Sequence, residues 1–109
     1  MIGVVEGMLY AQKANLDVEK VIQLLGGGAA GSFSLNIYGP RIIKRDFEPG
    51  FYVEHFVKDL GICINEAGKM GLKLAGLELA YKFYSMMIED GLGKKGTQGL
   101  MLVLEKLNN

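Results

Sequence analysis

From Val53 to Ala67, apolar residues recur at spacings of three and four: Val53, Phe56, Val57, Leu60, Ile64 and Ala67. That period is the buried stripe of an amphipathic α-helix, and a strand does not reproduce it. Pro49-Gly50 stands just upstream. Pro49 cannot continue a helix and disfavours one at Glu48, while Gly50 permits backbone angles closed to its neighbours. The spacing therefore predicts a central helix from Phe51 or Tyr52 to about Met70. Nowhere does the chain alternate apolar and polar residues over the length of a strand. The expected fold is all-α, about six helices with short ones between long ones. The 109 residues suffice for a single domain, 1–109, with one core.

A second stripe runs beside the first: Phe51, His55, Lys58, Asp59 and Ile62. A solvated face rarely needs the aromatic, and a core face rarely takes a Lys-Asp pair. This side of the helix is the candidate ligand-facing surface. Lys58 can hold a carboxylate, amide or phosphate, and Asp59 can accept from a hydroxyl. On spacing alone a solvated charge pair is the preferred account. Gly61, inside the helix, costs about 1 kcal/mol against alanine. Close packing by another helix is the expected reason. Cys63 is read as a packing residue beside the buried stripe.

The first helix starts without a Ser, Thr, Asp or Asn to cap it and should end near Ala14-Asn15, where Asn15 can turn left-handed. Asp17 suits the N-cap of a helix from Val18 to Leu25, with Val18, Val21, Ile22 and Leu25 inside. Gly26-Gly27-Gly28 ends it. A helix precedes these glycines and no Lys follows, so they read as a terminator and a close crossing of backbones, not a phosphate loop. Ser32 is expected to cap a helix from Phe33 to Tyr38. Gly39-Pro40 should break that helix, and Pro40 should open another to Arg45. A helix from Leu74 to Asp90 carries Leu77, Ala80, Tyr81, Tyr84, Met87 and Ile88, broadened by Phe83 and Met86. Lys94-Lys95-Gly96 reads as a solvated loop. Thr97 should cap the last helix, with Leu100, Met101, Val103, Leu104 and Leu107 inside.

Composition excludes several function classes. Lys plus Arg and Asp plus Glu both number 12, so no net field favours a nucleic acid. No apolar run reaches the roughly 20 residues of a membrane span, and no basic amphipathic helix suggests membrane binding. One His and one Cys do not make a metal cluster, and Ser32 and Ser34 lie far in sequence from His55, the only histidine. The single cysteine precludes an internal disulfide and suits a cytoplasmic location. A mean hydropathy of +0.21 is high for a small domain and points to apolar surface used against another domain or subunit.

Three motifs, in order, resemble the C-terminal domain of the β-hydroxyacid dehydrogenase family. Glu6-Gly7-Met8-Leu9-Tyr10-Ala11 with Lys13-Ala14 looks like the family's long interdomain helix. Gly28-Ala29-Ala30-Gly31-Ser32-Phe33 is similar to its Gly-Ala-Ala-Gly-Ser-Trp segment. Asp46-Phe47-Glu48-Pro49-Gly50-Phe51 followed by Lys58-Asp59-Leu60 is the most specific match. The resemblance spans almost the whole chain. It implies the 6-phosphogluconate dehydrogenase C-terminal domain-like fold, entered partway along the interdomain helix.

The resemblance further implies a parent enzyme that moves a hydride between NAD or NADP and a small β-hydroxyacid or its semialdehyde. Lys58 would contact the cofactor. Phe51 and Asp59 would line the substrate pocket, with Phe33 near it. Homo-oligomers would form through this domain. Phe33 departs from the family's usual Trp and lacks the indole nitrogen as a donor. The family's Rossmann fingerprint and its catalytic Lys are expected upstream of Met1. Most cofactor contacts would belong to that domain, so no catalytic residue is assigned within this chain. The alternative, from a different class, is a stand-alone helical dimerisation module without catalytic activity.

Overall fold

The computed structural model describes residues 1–109 and contains six α-helices and no strand. They are α1 (Ile2–Lys13), α2 (Val18–Gly26), α3 (Gly39–Ile43), α4 (Val53–Lys69), α5 (Ala75–Glu89) and α6 (Leu100–Leu107). The all-α reading and the number of helices hold. No helix is long and apolar enough to cross a membrane. The chain divides into two compact units: residues 1–47 with 98–109, and residues 48–97.

In the first unit, α1 packs on α2, α3 and α6, and α2 also packs on α3. Val5, Met8 and Ala11 of α1 are buried, as are Ile22, Leu35 and Ile42. In α6, Leu100, Met101, Val103 and Leu104 are buried. Leu107, expected inside, is exposed because it lies in the last turn of a short helix. Local signals set most boundaries. No side chain caps α1, and Asn15 adopts a left-handed φ of 60° just past its end. The Asp17 carboxylate accepts from the Lys20 N–H at 3.2 Å and opens α2. The inner face of α2 is narrower than its pattern predicts, because Leu25 is exposed.

Two expectations about the middle of this unit need correction. Ser32 does cap the next helix, its hydroxyl accepting from the Leu35 N–H at 3.0 Å. But Gly39-Pro40 does not break that helix. The chain is helical from Phe33 through Ile43, with a π-turn at Ser34–Tyr38 joined directly to α3. The reason is steric. In an α-helix the ring of Pro40 would press on the carbonyl four residues back. The wider π-turn relieves that clash, and the Gly39 N–H reaches both the Leu35 and Ser34 carbonyls. Likewise Thr97 does not cap α6. It begins a short 3-10 turn, Thr97–Gly99, and Gly99 precedes the helix without a side-chain cap.

In the second unit α4 packs against α5. The stripe read from spacing is the buried side of α4: Val53, Leu60 and Ala67 are buried and Phe56, Val57 and Ile64 half-buried. From α5, Tyr84 and Met87 are buried. The Tyr84 hydroxyl donates to the Thr97 carbonyl at 3.0 Å, and burial pushes its pKa well above the ordinary phenol range. The Tyr81 ring lies over Gly61 and would stand 3.6 Å from an added Cβ, so α5 does approach there but leaves room for a methyl group. Cys63 is exposed, contrary to the packing role expected of it. It sits beside the buried stripe, but on the solvent side.

Candidate functional site

Phe51 is not part of the helix that carries Lys58 and Asp59. The central helix begins at Val53, two residues later than its earliest expected start. Gly50 and Phe51 form a bend, and Tyr52, in extended conformation, is the N-cap residue. Tyr52 supplies no side-chain cap. Instead the first amides of α4 are satisfied by the backbone of the loop after α5. The Val53 N–H donates to the Lys95 carbonyl and the Glu54 N–H to the Gly93 carbonyl, each at 2.9 Å. Tyr52 and Gly96 form an isolated antiparallel bridge. The loop 94–96 is therefore not merely solvated. Gly96 is buried, and the Lys95 ammonium meets the Glu48 carboxylate at 3.0 Å.

These contacts fix the aromatic pair at the head of the helix. Phe51 rests edge-on against Phe56, and Tyr52 tilts against the His55 ring at 5.3 Å. One turn further on, Lys58 and Asp59 are both exposed. Neither forms an ion pair or side-chain hydrogen bond within the chain. His55 is 59% exposed at its side chain, with the Glu54 carboxylate 3.9 Å away, and Ile62 is exposed too. The polar stripe is an open surface, with a cation and a carboxylate adjacent and uncommitted. Such a pair can hold a polar ligand from two sides: three ammonium donors from Lys58 and carboxylate acceptors from Asp59.

Phe33 belongs to the first unit. The residue is 70% exposed, and its ring meets the edge of Tyr38 at 5.8 Å. The Arg41 guanidinium lies over the Tyr38 ring, 5.8 Å from its centre, and its Nε donates to Asp46 at 2.9 Å. The glycine run upstream is packed as expected of a close backbone crossing. A Cβ on Gly31 would collide with the Gly26 carbonyl. The Asn36 amide also donates to the Gly26 carbonyl at 3.3 Å. The base of Phe33 is thus anchored while its ring stays open.

A groove of about 360 Å³ also lies in the first unit, lined by residues that include Val4, Met8, Val18, Val21, Leu25 and Leu35. None of Phe33, Phe51, Lys58 and Asp59 lines it. Its walls carry no charged side chain, whereas the α4 surface carries Lys58 and Asp59. Reading the sequence missed three contributors to that surface: Tyr52, Lys95 and Glu48. Tyr52 had a signal, since it sits three residues before His55. The Glu48–Lys95 pairing has none, because it joins two distant loops.

Residues 1–104 match the family described as "NAD-binding of NADP-dependent 3-hydroxyisobutyrate dehydrogenase". The chain is 59% identical over all its 109 residues to the probable 3-hydroxyisobutyrate dehydrogenase-like 1, mitochondrial, of Arabidopsis thaliana. It covers 33% of that protein. It is 48% identical over 92% of its length to an uncharacterized oxidoreductase of Bacillus subtilis, covering 35% of it. The chain thus spans about a third of the length of these relatives. The crystal structure of 3-hydroxyisobutyrate dehydrogenase from Salmonella typhimurium shares its fold, with a TM-score of 0.86 over 94% of this chain and 36% of that one, at 20% identity.

Proposed function

The chain belongs to the β-hydroxyacid dehydrogenase family, and from that premise we propose that it is the helical substrate-binding and oligomerisation domain of an NAD(P)-dependent oxidoreductase acting on a small β-hydroxyacid or its semialdehyde. The observation that carries this reading is the adjacent, uncommitted pair Lys58 and Asp59 on the open side of α4, with Phe51 pinned against Phe56 ahead of them. The residues fit a nicotinamide cofactor. An exposed ammonium suits its polar amide or its phosphates. The bound cofactor would supply the hydride acceptor or donor.

Each residue then has a distinct task. Lys58 holds the cofactor through charge and hydrogen bonds. Asp59 accepts from a substrate hydroxyl and orients it. Phe51 offers an apolar wall that excludes water from the reacting carbon. The proton transfer itself is assigned to a residue of the nucleotide-binding domain and not to this chain, so the domain alone is expected to be inactive. The exposed thiol of Cys63 supports a reducing compartment, cytoplasmic as its sequence suggests or mitochondrial as the Arabidopsis relative is named.

Joining this chain to the upstream segment of the Arabidopsis relative tests the proposal. Oxidation of NADH or NADPH with a small semialdehyde is the expected result. A folded fusion that binds cofactor and reduces no semialdehyde would contradict it. The second reading, a stand-alone dimerisation module, draws on exposed apolar side chains such as Leu24 at 80% and Tyr10 at 77%. Light scattering on the isolated chain addresses it. A well-folded monomer would remove the module reading and weaken the oligomerisation role.

A further inference from the structure

Because Phe51 lies outside α4, the helical backbone does not fix its position. The turn Pro49–Gly50–Phe51 must be held from elsewhere, and both its ends are tied to one residue. On one side the Lys95 ammonium meets the Glu48 carboxylate at 3.0 Å. On the other, the Lys95 carbonyl accepts from the Val53 N–H at 2.9 Å, beside the Tyr52–Gly96 bridge. Lys95 therefore spans the turn, side chain to its entry and main chain to its exit. Between these ties the Phe51 ring meets the edge of Phe56.

We propose that Lys95 is a positioning residue for Phe51, holding the wall of the substrate pocket through the Glu48–Lys95 ion pair. The proposal rests on the pocket role of Phe51 given above. The pair is open to solvent, with side-chain exposures of 43% for Lys95 and 72% for Glu48. Exposed pairs of this kind add little to global stability. The turn is a local element, however, and loss of this pair removes the tie that joins its entry to the loop after α5. Loss of substrate contact with chemistry intact is read as a rise in KM at constant kcat.

The test uses the fused enzyme described above, with K95M, E48Q, K95R and F51A. K95M and E48Q are expected to raise KM for the semialdehyde about three- to fivefold, the range an exposed pair can supply. Their kcat, cofactor KM and Tm should stay near those of the parent. K95R keeps the charge and should restore the parent KM, as should the swap E48K/K95E. F51A should raise the substrate KM at least as far as K95M. If F51A raises KM while K95M and E48Q leave it unchanged, the positioning role is wrong and the pocket role of Phe51 stands. If F51A changes nothing, both are wrong. Equal shifts in Tm, cofactor KM and substrate KM in K95M, unrescued by K95R, would mark a merely structural residue and also overturn the proposal.

Discussion

The ring of Phe51 rests edge-on against Phe56 with centroids 5.8 Å apart, and Phe56 in turn meets the edge of Tyr84 at 4.9 Å. The candidate pocket wall is therefore continuous with the packing between α4 and α5. Phe56→Ala should destabilise the chain by about 2–3 kcal/mol, less than a fully buried phenylalanine because Phe56 is half-buried. It should also raise the substrate KM of the fused enzyme, since Phe51 loses its backing. Urea denaturation checks the first effect and steady-state kinetics the second. A full stability loss with unchanged KM would separate Phe51 from this aromatic row.

Tyr84 gives a pH-dependent prediction. Burial raises the folded-state pKa of its hydroxyl above the unfolded value. The neutral phenol is then favoured in the folded chain, so its contribution is fully present below about pH 10, the unfolded value, and is lost as pH rises beyond it. Melting temperature should fall more steeply above about pH 10 in the parent than in Tyr84→Phe. The variant also loses the hydrogen bond to the Thr97 carbonyl and should be about 1 kcal/mol less stable at neutral pH. Identical alkaline slopes in the two proteins would contradict the assignment.

Two glycines should respond with opposite signs. Gly31→Ala forces a Cβ onto the Gly26 carbonyl, a backbone atom that cannot swing aside. A loss of about 1–3 kcal/mol is expected. Gly61→Ala meets only the Tyr81 ring at an ordinary contact distance of 3.6 Å. It should gain about 0.5–1 kcal/mol from helix propensity. Thermal unfolding of both variants decides the matter, and a destabilised Gly61→Ala would show that α5 packs more tightly than its geometry implies.

The sequence made legible whatever depended on near neighbours. Asp17 caps α2 with its own side chain, Asn15 turns left-handed by itself, and the period from Val53 to Ala67 names the buried side of α4. Features that need a distant partner were hidden. The amides of Val53 and Glu54 are capped by carbonyls of the loop after α5, so the start of α4 slipped past Phe51. The π-turn at Ser34–Tyr38 carries Gly39-Pro40 inside a helix where a break was the simpler reading. Cys63 and Leu107 look like core residues by type and face solvent by position. In the candidate site, the exposure of Lys58 and Asp59 follows from helical phase, whereas the bracket formed by Glu48 and Lys95 does not.

The isolated chain should bind NADH and NADPH too weakly for calorimetry to detect at micromolar concentrations. Its contribution to the cofactor is assigned to Lys58, one exposed side chain, and a single exposed charge contact supplies only about 1 kcal/mol. Micromolar binding would move most of the cofactor site into this domain.

Lys58 and Asp59 are exposed and leave α4 on its open side, so replacing them should cost little stability. Their worth should appear only in catalysis. The direct measurement is kcat/KM of the fused enzyme for a small semialdehyde, with Lys58→Ala and Asp59→Ala each compared to the parent. A fall of about tenfold or more in each, the loss of one charged hydrogen bond, with Lys58→Ala raising the cofactor KM and Asp59→Ala the substrate KM, is the expected result. Activity within twofold of the parent in both variants would contradict the assignment of this face to the cofactor and substrate.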